Sequence, residues 1–158
     1  MISLIFSFCL LIGGCASSYV QSATYQNESL YLDDEGLQNL GYEIADAFLS
    51  SKFFEDNDRR CYKFGKISNE TYEHINTHLL IETISSRLKQ NKKVCIREDS
   101  FFYGIFYGRI SAIYQETKRD KDMFYTFRFY LINGKTTELV WSETKEIRKR
   151  GKRKLIGW

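Results

Sequence analysis

The stretch Met123-Phe124-Tyr125-Thr126-Phe127-Arg128-Phe129-Tyr130-Leu131-Ile132-Asn133-Gly134-Lys135 decides the fold. Its aromatic and β-branched residues alternate with period two, the mark of a strand with one covered face and one open face. Tyr125, Phe127, Phe129 and Leu131 fall on one side, and Thr126, Arg128 and Tyr130 on the other. Two further β-rich runs flank it, Phe106 to Gln115 and Thr137 to Ile147. The charged segment Lys118 to Asp122 separates the first pair, and Asn133-Gly134-Lys135 separates the second. Asn-Gly favours the positive φ angles of a tight hairpin. The three runs therefore predict an antiparallel meander with helices over the Tyr125–Leu131 face.

Upstream the period changes. Leu37, Leu40, Ile44, Ala47 and Phe48 recur at helical spacing behind Asp33 and Asp34, which suit an N-cap and first turn. This predicts a helix to about Ser51, followed by a turn over Glu55 to Arg60. Cys61 to Ile67 reads as a strand with Tyr62, Phe64 and Lys66 on one face. After a loop containing Asn69, Leu80, Ile84 and Leu88 mark a second helix from about Ile75 to Gln90, and Val94-Cys95-Ile96 is a short strand. The fold class expected is α/β of the α+β kind: a small mixed sheet, packed by helices, that ends in an antiparallel meander. No internal repeat or second domain is visible, and the globular unit spans residues 32–150.

The chain has 158 residues, 43% hydrophobic, 27% charged and 16% aromatic, with no proline. That composition supports a core and excludes disorder as the main state. The net charge of +3 is unevenly spread: residues 1–27 carry no charged side chain, and residues 28–144 hold 16 bases against 19 acids. The last 14 residues hold seven bases and Glu146. Ile2 to Ile12 is a largely apolar run of signal-peptide length, too short to span a bilayer. It ends in Ile12-Gly13-Gly14-Cys15, which resembles the lipobox of bacterial lipoproteins. The resemblance implies a signal peptide over 1–14, acylation of Cys15 and a short tether over 15–31. Two or three acyl chains, at about 0.8 kcal/mol per buried methylene, anchor stably where one does not. A buried hydrophobic N-terminal element is the competing reading.

Export would leave Cys61 and Cys95 in an oxidising compartment. Each lies near the start of a predicted strand, so a disulfide forms if those strands are neighbours; otherwise both are half-buried thiols. No CxxC pair supports a metal site. His74 and His78, four apart, could share a zinc ion on a helix face and make the protein a small zinc hydrolase, but the HExxH pattern and a third ligand are missing. Capping or solvated histidines are the plainer reading. No nucleophile elbow or phosphate-cradling glycine loop occurs, so neither a catalytic residue nor a cofactor is assigned. The basic end, Lys145 to Lys154 with 151–158 as a tail, suits anionic lipid, lipopolysaccharide or an acidic protein patch, or is simply solvated. Nucleic acid is excluded by compartment. On the open sheet face, Arg109, Arg128 and Tyr130 are of the types favoured as binding anchors.

Lys66-Ile67-Ser68-Asn69-Glu70-Thr71 followed by His74-Ile75-Asn76-Thr77 is similar to the strand–loop–helix signature of LpoB-type lipoproteins. Phe106-Tyr107-Gly108-Arg109-Ile110 resembles that family's next strand, and Asn133 to Lys149, with Val140-Trp141-Ser142, resembles its closing hairpin. The resemblance covers about residues 33–150. It implies a fold like the N-terminal domain of TolB and an outer-membrane lipoprotein, facing the periplasm, that stimulates a bifunctional penicillin-binding protein in peptidoglycan synthesis. The partners so implied are that synthase and, through Cys15, membrane lipid. Asn69, Thr71, His74 and Thr77 read as structural residues of the signature, closing its loop and opening the helix. The tether here is short and proline-free, whereas the resemblance implies a long proline-rich one. The alternative function is a structural or accessory envelope lipoprotein of an outer-membrane assembly or secretion system.

Overall fold

The computed structural model describes residues 30–118 and 120–152. The expected signal segment, Cys15, nearly all of the tether, and the basic tail past Lys152 lie outside the described residues.

Helix α1 (Asp34–Leu49) opens on Asp33, whose carboxylate accepts the Gly36 amide at 2.8 Å, with Asp34 and Glu35 favourably placed in the first turn. A single short turn of helix follows as α2 (Lys52–Glu55), capped by Ser51, in front of the expected turn. Strand β1 (Arg60–Asn69) leads into α3 (Thr77–Lys89), then β2 (Val94–Ile96), β3 (Gly104–Glu116), β4 (Asp120–Asn133) and β5 (Leu139–Lys152). The sheet order is β2-β1-β3-β4-β5. Strand β1 is parallel to both neighbours, while β3, β4 and β5 form the antiparallel meander. Tyr125, Phe127, Phe129 and Leu131 are at most 2% exposed beneath the helices.

Phe48 of α1 forms the centre of the core. Its ring meets Tyr62 of β1 at 5.5 Å, Phe106 of β3 at 5.0 Å and Trp141 of β5 at 5.2 Å, each edge-on. One helix residue thus contacts three strands. Burial also pushes the Tyr62 hydroxyl up to about 12.

Three local expectations are corrected. Lys66 does not share a face with Tyr62 and Phe64, because β1 carries one extra residue between Phe64 and Ile67 relative to β3. That bulge turns Ile67 into the core and leaves Lys66 in solvent. The Asn133-Gly134 turn uses no positive φ at either residue; the left-handed position is Thr137, at φ 60°. Asn133 instead holds the loop through its side chain, accepting the Lys135 amide at 2.9 Å and the Thr136 amide at 3.2 Å. Gly134 is needed for close approach, since a Cβ there would lie 2.8 Å from the Phe102 ring while its amide donates to the Tyr103 carbonyl at 2.8 Å. Finally, β5 runs beyond Ile147 to Lys152, so much of the basic end is strand.

Two features of the sheet's outline matter below. Strand β1 follows β3 only to the Asn69–Ile110 pair, and past it β3, β4 and β5 continue as a three-stranded tongue closed at Thr117–Asp120. At the outermost strand, Lys145 and Lys149 point toward the helix side; Lys145 lies 3.4 Å from Glu143 and 4.0 Å from Glu43 of α1, and Lys149 is 4% exposed.

At the other edge, Cys61 faces Cys95 in the β1–β2 register, and a disulfide joins them with Cα atoms 4.4 Å apart. It secures a strand of only three residues. Closing a loop with a sequence separation of 34 contributes roughly 4 kcal/mol in the chain-entropy picture. Urea denaturation with and without a reductant checks this: reduction, or Cys61→Ser with Cys95→Ser, is expected to lower stability by about 2–4 kcal/mol. Coincident curves would show that the bond contributes nothing.

Candidate functional site

The helices leave the opposite face of β3, β4 and β5 open. Outward positions follow from the register: Tyr107 lies opposite Tyr130, and Arg109 lies opposite Arg128. Tyr107 and Tyr130 stack at 5.8 Å with their planes 22° apart. Tyr107 lies across Gly65, where a Cβ would come within 2.5 Å of its ring, so the glycine lets the tyrosine lie flat over β1. Strand β5 adds Ser142 and Thr144, opposite Tyr130 and Arg128. All three residues assigned to binding from sequence, Arg109, Arg128 and Tyr130, therefore share this face. Ile132 and Leu139 extend it, Leu139 being 63% exposed.

The electrostatics are asymmetric. Two arginines directly opposite each other on adjacent strands repel, so this pair lowers stability. Arg109 is offset by Glu70 at 3.1 Å. Arg128 is exposed and has no ion-pair partner among the described residues. The depressions around these side chains, lined by Arg109, Arg128, Tyr130, Ile132, Leu139 and Thr144, are open, unlike the enclosed clefts that bury a small ligand. The surface is suited to lie against another macromolecule, with a stacked aromatic pair beside an unneutralised cation.

The signature loop adjoins this face. Asn69 Oδ1 accepts the Thr71 amide at 3.0 Å and the Thr71 hydroxyl at 2.8 Å, while its Nδ2 donates to the Glu73 carbonyl at 2.7 Å. Thr71 Oγ1 accepts the Glu73 amide at 3.1 Å, and the Glu70 amide donates to Ile110 at 2.8 Å, tying the loop to β3. Asn76 caps α3 by accepting the Leu79 amide at 3.1 Å; Thr77 is the first helical residue. His74 is exposed, and His78 sits 3.4 Å from Glu82 on the helix surface. Among the described residues no group of three or more His, Cys, Asp or Glu side chains converges as metal ligands.

Two clusters near the site escaped the sequence reading. Tyr125, fully buried, donates to Glu73 Oε2, and its hydroxyl is held above the ordinary tyrosine range first by burial and then by that carboxylate. The Tyr125 hydroxyl also lies 3.0 Å from the Leu30 carbonyl, where the described chain begins. Nothing local in Glu73 or Tyr125 signals this contact across 52 residues. The second is Asp122, 10% exposed, which accepts from Arg148 at 2.7 Å and from Arg150 at 3.0 Å. Carrying the hairpin register on to Asp122–Arg150 would have found it, had the third run been extended past Ile147.

The fold defines a small helix-backed α+β domain with one open sheet face of stacked tyrosines and arginines. The family model described as peptidoglycan-synthase activator LpoB matches residues 37–101 and 105–147, and the chain belongs to that family. The LpoB C-terminal domain from Salmonella enterica shares the fold with a TM-score of 0.50 at 12% identity, covering 70% of this chain and 97% of that one. The LpoB C-terminal domain from Escherichia coli does so with a TM-score of 0.50 at 14% identity and the same coverage. No curated protein sequence matches the chain. Among the described residues no helix is long and apolar enough to cross a membrane.

The Asp122 cluster sets a pH dependence. The Arg148 hydrogen bond, aided by Arg150 and opposed by burial, holds the Asp122 carboxyl below the usual aspartate range. A depressed folded-state value means that stabilisation is present above the unfolded pKa of about 3.9 and is lost as pH falls through the lower folded value. Melting temperature followed by circular dichroism from pH 7 to pH 2 should therefore fall below about pH 4 in the native protein. Asp122→Asn should lower it at pH 7 and flatten the acid slope. Equal slopes would remove the ion cluster as a source of stability.

Proposed function

We propose that the protein is an outer-membrane lipoprotein, acylated at Cys15 and facing the periplasm, that binds and activates a bifunctional penicillin-binding protein. The family match over most of the folded domain carries this reading. The geometry supports a binding role: the open face presents Arg109, Arg128, Tyr107 and Tyr130 on a rigid three-stranded platform, with Arg128 unneutralised. A synthase surface that supplies a carboxylate to Arg128 would relieve the repulsion it shares with Arg109.

The chain's part in the reaction is then conformational. Anchoring raises its local concentration at the envelope, and docking shifts the synthase toward an active conformation to the extent that the active form binds more tightly. No side chain is assigned a catalytic role and no cofactor is invoked.

Glycan polymerisation by the purified synthase, with and without the unacylated chain from Ala16, tests this. Every fully buried hydrophobic side chain among the described residues lies between Leu37 and Trp141, so that chain keeps the core. Stimulation is expected, and Arg109→Glu with Arg128→Glu should weaken binding by about tenfold or more while leaving the circular dichroism unchanged. Absence of both binding and stimulation would refute the activator reading; undiminished stimulation by the charge-reversed variant would move the docking surface elsewhere.

A further inference from the structure

Beyond Ile110 the tongue carries the open face on past the Arg109–Arg128 row, while Ala112, Tyr125 and Ile147 on its inner side still pack at its base. Strand β3 continues six residues past Ile110 to Glu116, a projection of about 20 Å. On its outer side the register aligns Ile113, Phe124 and Arg148 in one row, and Gln115, Asp122 and Arg150 in the next. Ile113 is 64% exposed, and on the other side Tyr114 is 45% exposed. The Arg148 guanidinium lies over the Phe124 ring at 5.2 Å. Exposed apolar and aromatic groups beside guanidiniums form an amphipathic surface that no element among the described residues covers.

Its charge is positive. Arg148 and Arg150 share the single carboxylate of Asp122, and their side chains remain 45% and 48% exposed. Lys118, at the tip, is exposed. Residues 111–126 carry equal numbers of acids and bases, while 146–152 carry four bases against Glu146, of which Lys149 is turned inward. The excess therefore comes from the end of β5.

The position of the chain's N-terminal side selects the partner. Tyr125, opposite Ala112 and Ile147 at the base of the tongue, touches the Leu30 carbonyl, so the described chain begins at this end. Between Cys15 and Leu30 lie 14 residues, which span at most about 50 Å. An acyl group on Cys15 would keep this end of the domain within that distance of the bilayer.

We propose that the tongue lies against an anionic phospholipid leaflet, with Ile113 and the edge of Phe124 entering the headgroup region and Lys118, Arg148 and Arg150 meeting lipid phosphates. Such a second attachment would hold the distal end of the open face at the membrane, with the Arg109–Arg128 row two outward rows farther along the same face. The inference rests on the lipoprotein reading for its geometry, but the surface chemistry is tested without the anchor.

Flotation of the unacylated chain from Ala16 with vesicles provides the test, using phosphatidylcholine alone and phosphatidylcholine mixed with phosphatidylglycerol, at low and high salt. Binding is expected to the anionic vesicles only and to be lost at high salt. Ile113→Ser with Lys118→Ser, both exposed positions, should weaken it about fivefold or more, that being the effect of one basic residue near such a surface, with unchanged circular dichroism. A chain ending at Lys152 should still bind. Failure of the folded chain to float with anionic vesicles overturns the proposal. So does binding that vanishes with residues 153–158 yet ignores the double substitution, and so does capture by polyglutamate without capture by vesicles, which would indicate an acidic protein partner. The mass of the Cys15 peptide from the envelope fraction reads the anchor separately: an unmodified cysteine refutes the lipoprotein reading whatever the vesicles show, and an acylated one with no flotation refutes only the tongue.

Discussion

Phe48 connects elements that the backbone alone would leave loosely related. It is the last buried residue of α1, 1% exposed, and its ring is enclosed by Phe54, Tyr62, Phe106 and Trp141. Tyr62 lies in a strand parallel to its neighbours, Trp141 in the antiparallel edge. One helix side chain therefore fixes the helix against both halves of a mixed sheet. With α1 so placed, the residues before it bring the Leu30 carbonyl and Leu32 to Tyr125, so the described chain begins at the base of the tongue. Edge-on aromatic contacts have defined geometry as well as buried area, which gives this hub directional control that aliphatic packing lacks.

The sequence made the middle strand legible because its period of two persists over Tyr125 to Leu131 and because charged or Asn-Gly segments bound it on both sides. The helices were legible through Leu37–Phe48 and Leu80–Leu88. Where the reading failed, the cause was nonlocal. The β1 bulge depends on how Phe64 and Ile67 meet β3, and nothing in Gly65-Lys66 alone distinguishes it from regular strand. Gly134 looked like a conformational residue, but its requirement is set by Phe102, more than thirty residues away. The end of β5 was masked by its charge, since Arg148 and Arg150 read as solvated until Asp122 is placed opposite them. Of the candidate site, residue types and faces could be read; the Tyr107 stack over Gly65 and the Glu73–Tyr125 contact required the third dimension.

The two faces of the sheet divide stability from recognition. Beneath the helices the meander buries Tyr125, Phe127, Phe129 and Leu131 almost completely, and each fully buried large apolar side chain contributes about 1.5–3 kcal/mol. The outer face gives some of that back by setting Arg109 against Arg128. A sheet selected for stability alone would place an acid at one of those positions. Glu70 answers one arginine from a loop and leaves the other available, and Asn69 and Thr71 hold that loop in place through their hydrogen bonds. The signature loop thereby connects the helix side of the domain to the charge pattern of its open side.

Among the described residues strand β5 has no neighbour along its outer length, yet two ammonium groups, Lys145 and Lys149, sit on its inner side. Any additional strand hydrogen-bonding there would have to extend the apolar layer across those amines and take the remaining water from Lys145, whose side chain is 22% exposed. Lys145, beside Glu143 and Glu43, and the buried Lys149 make this edge a poor template for a further strand.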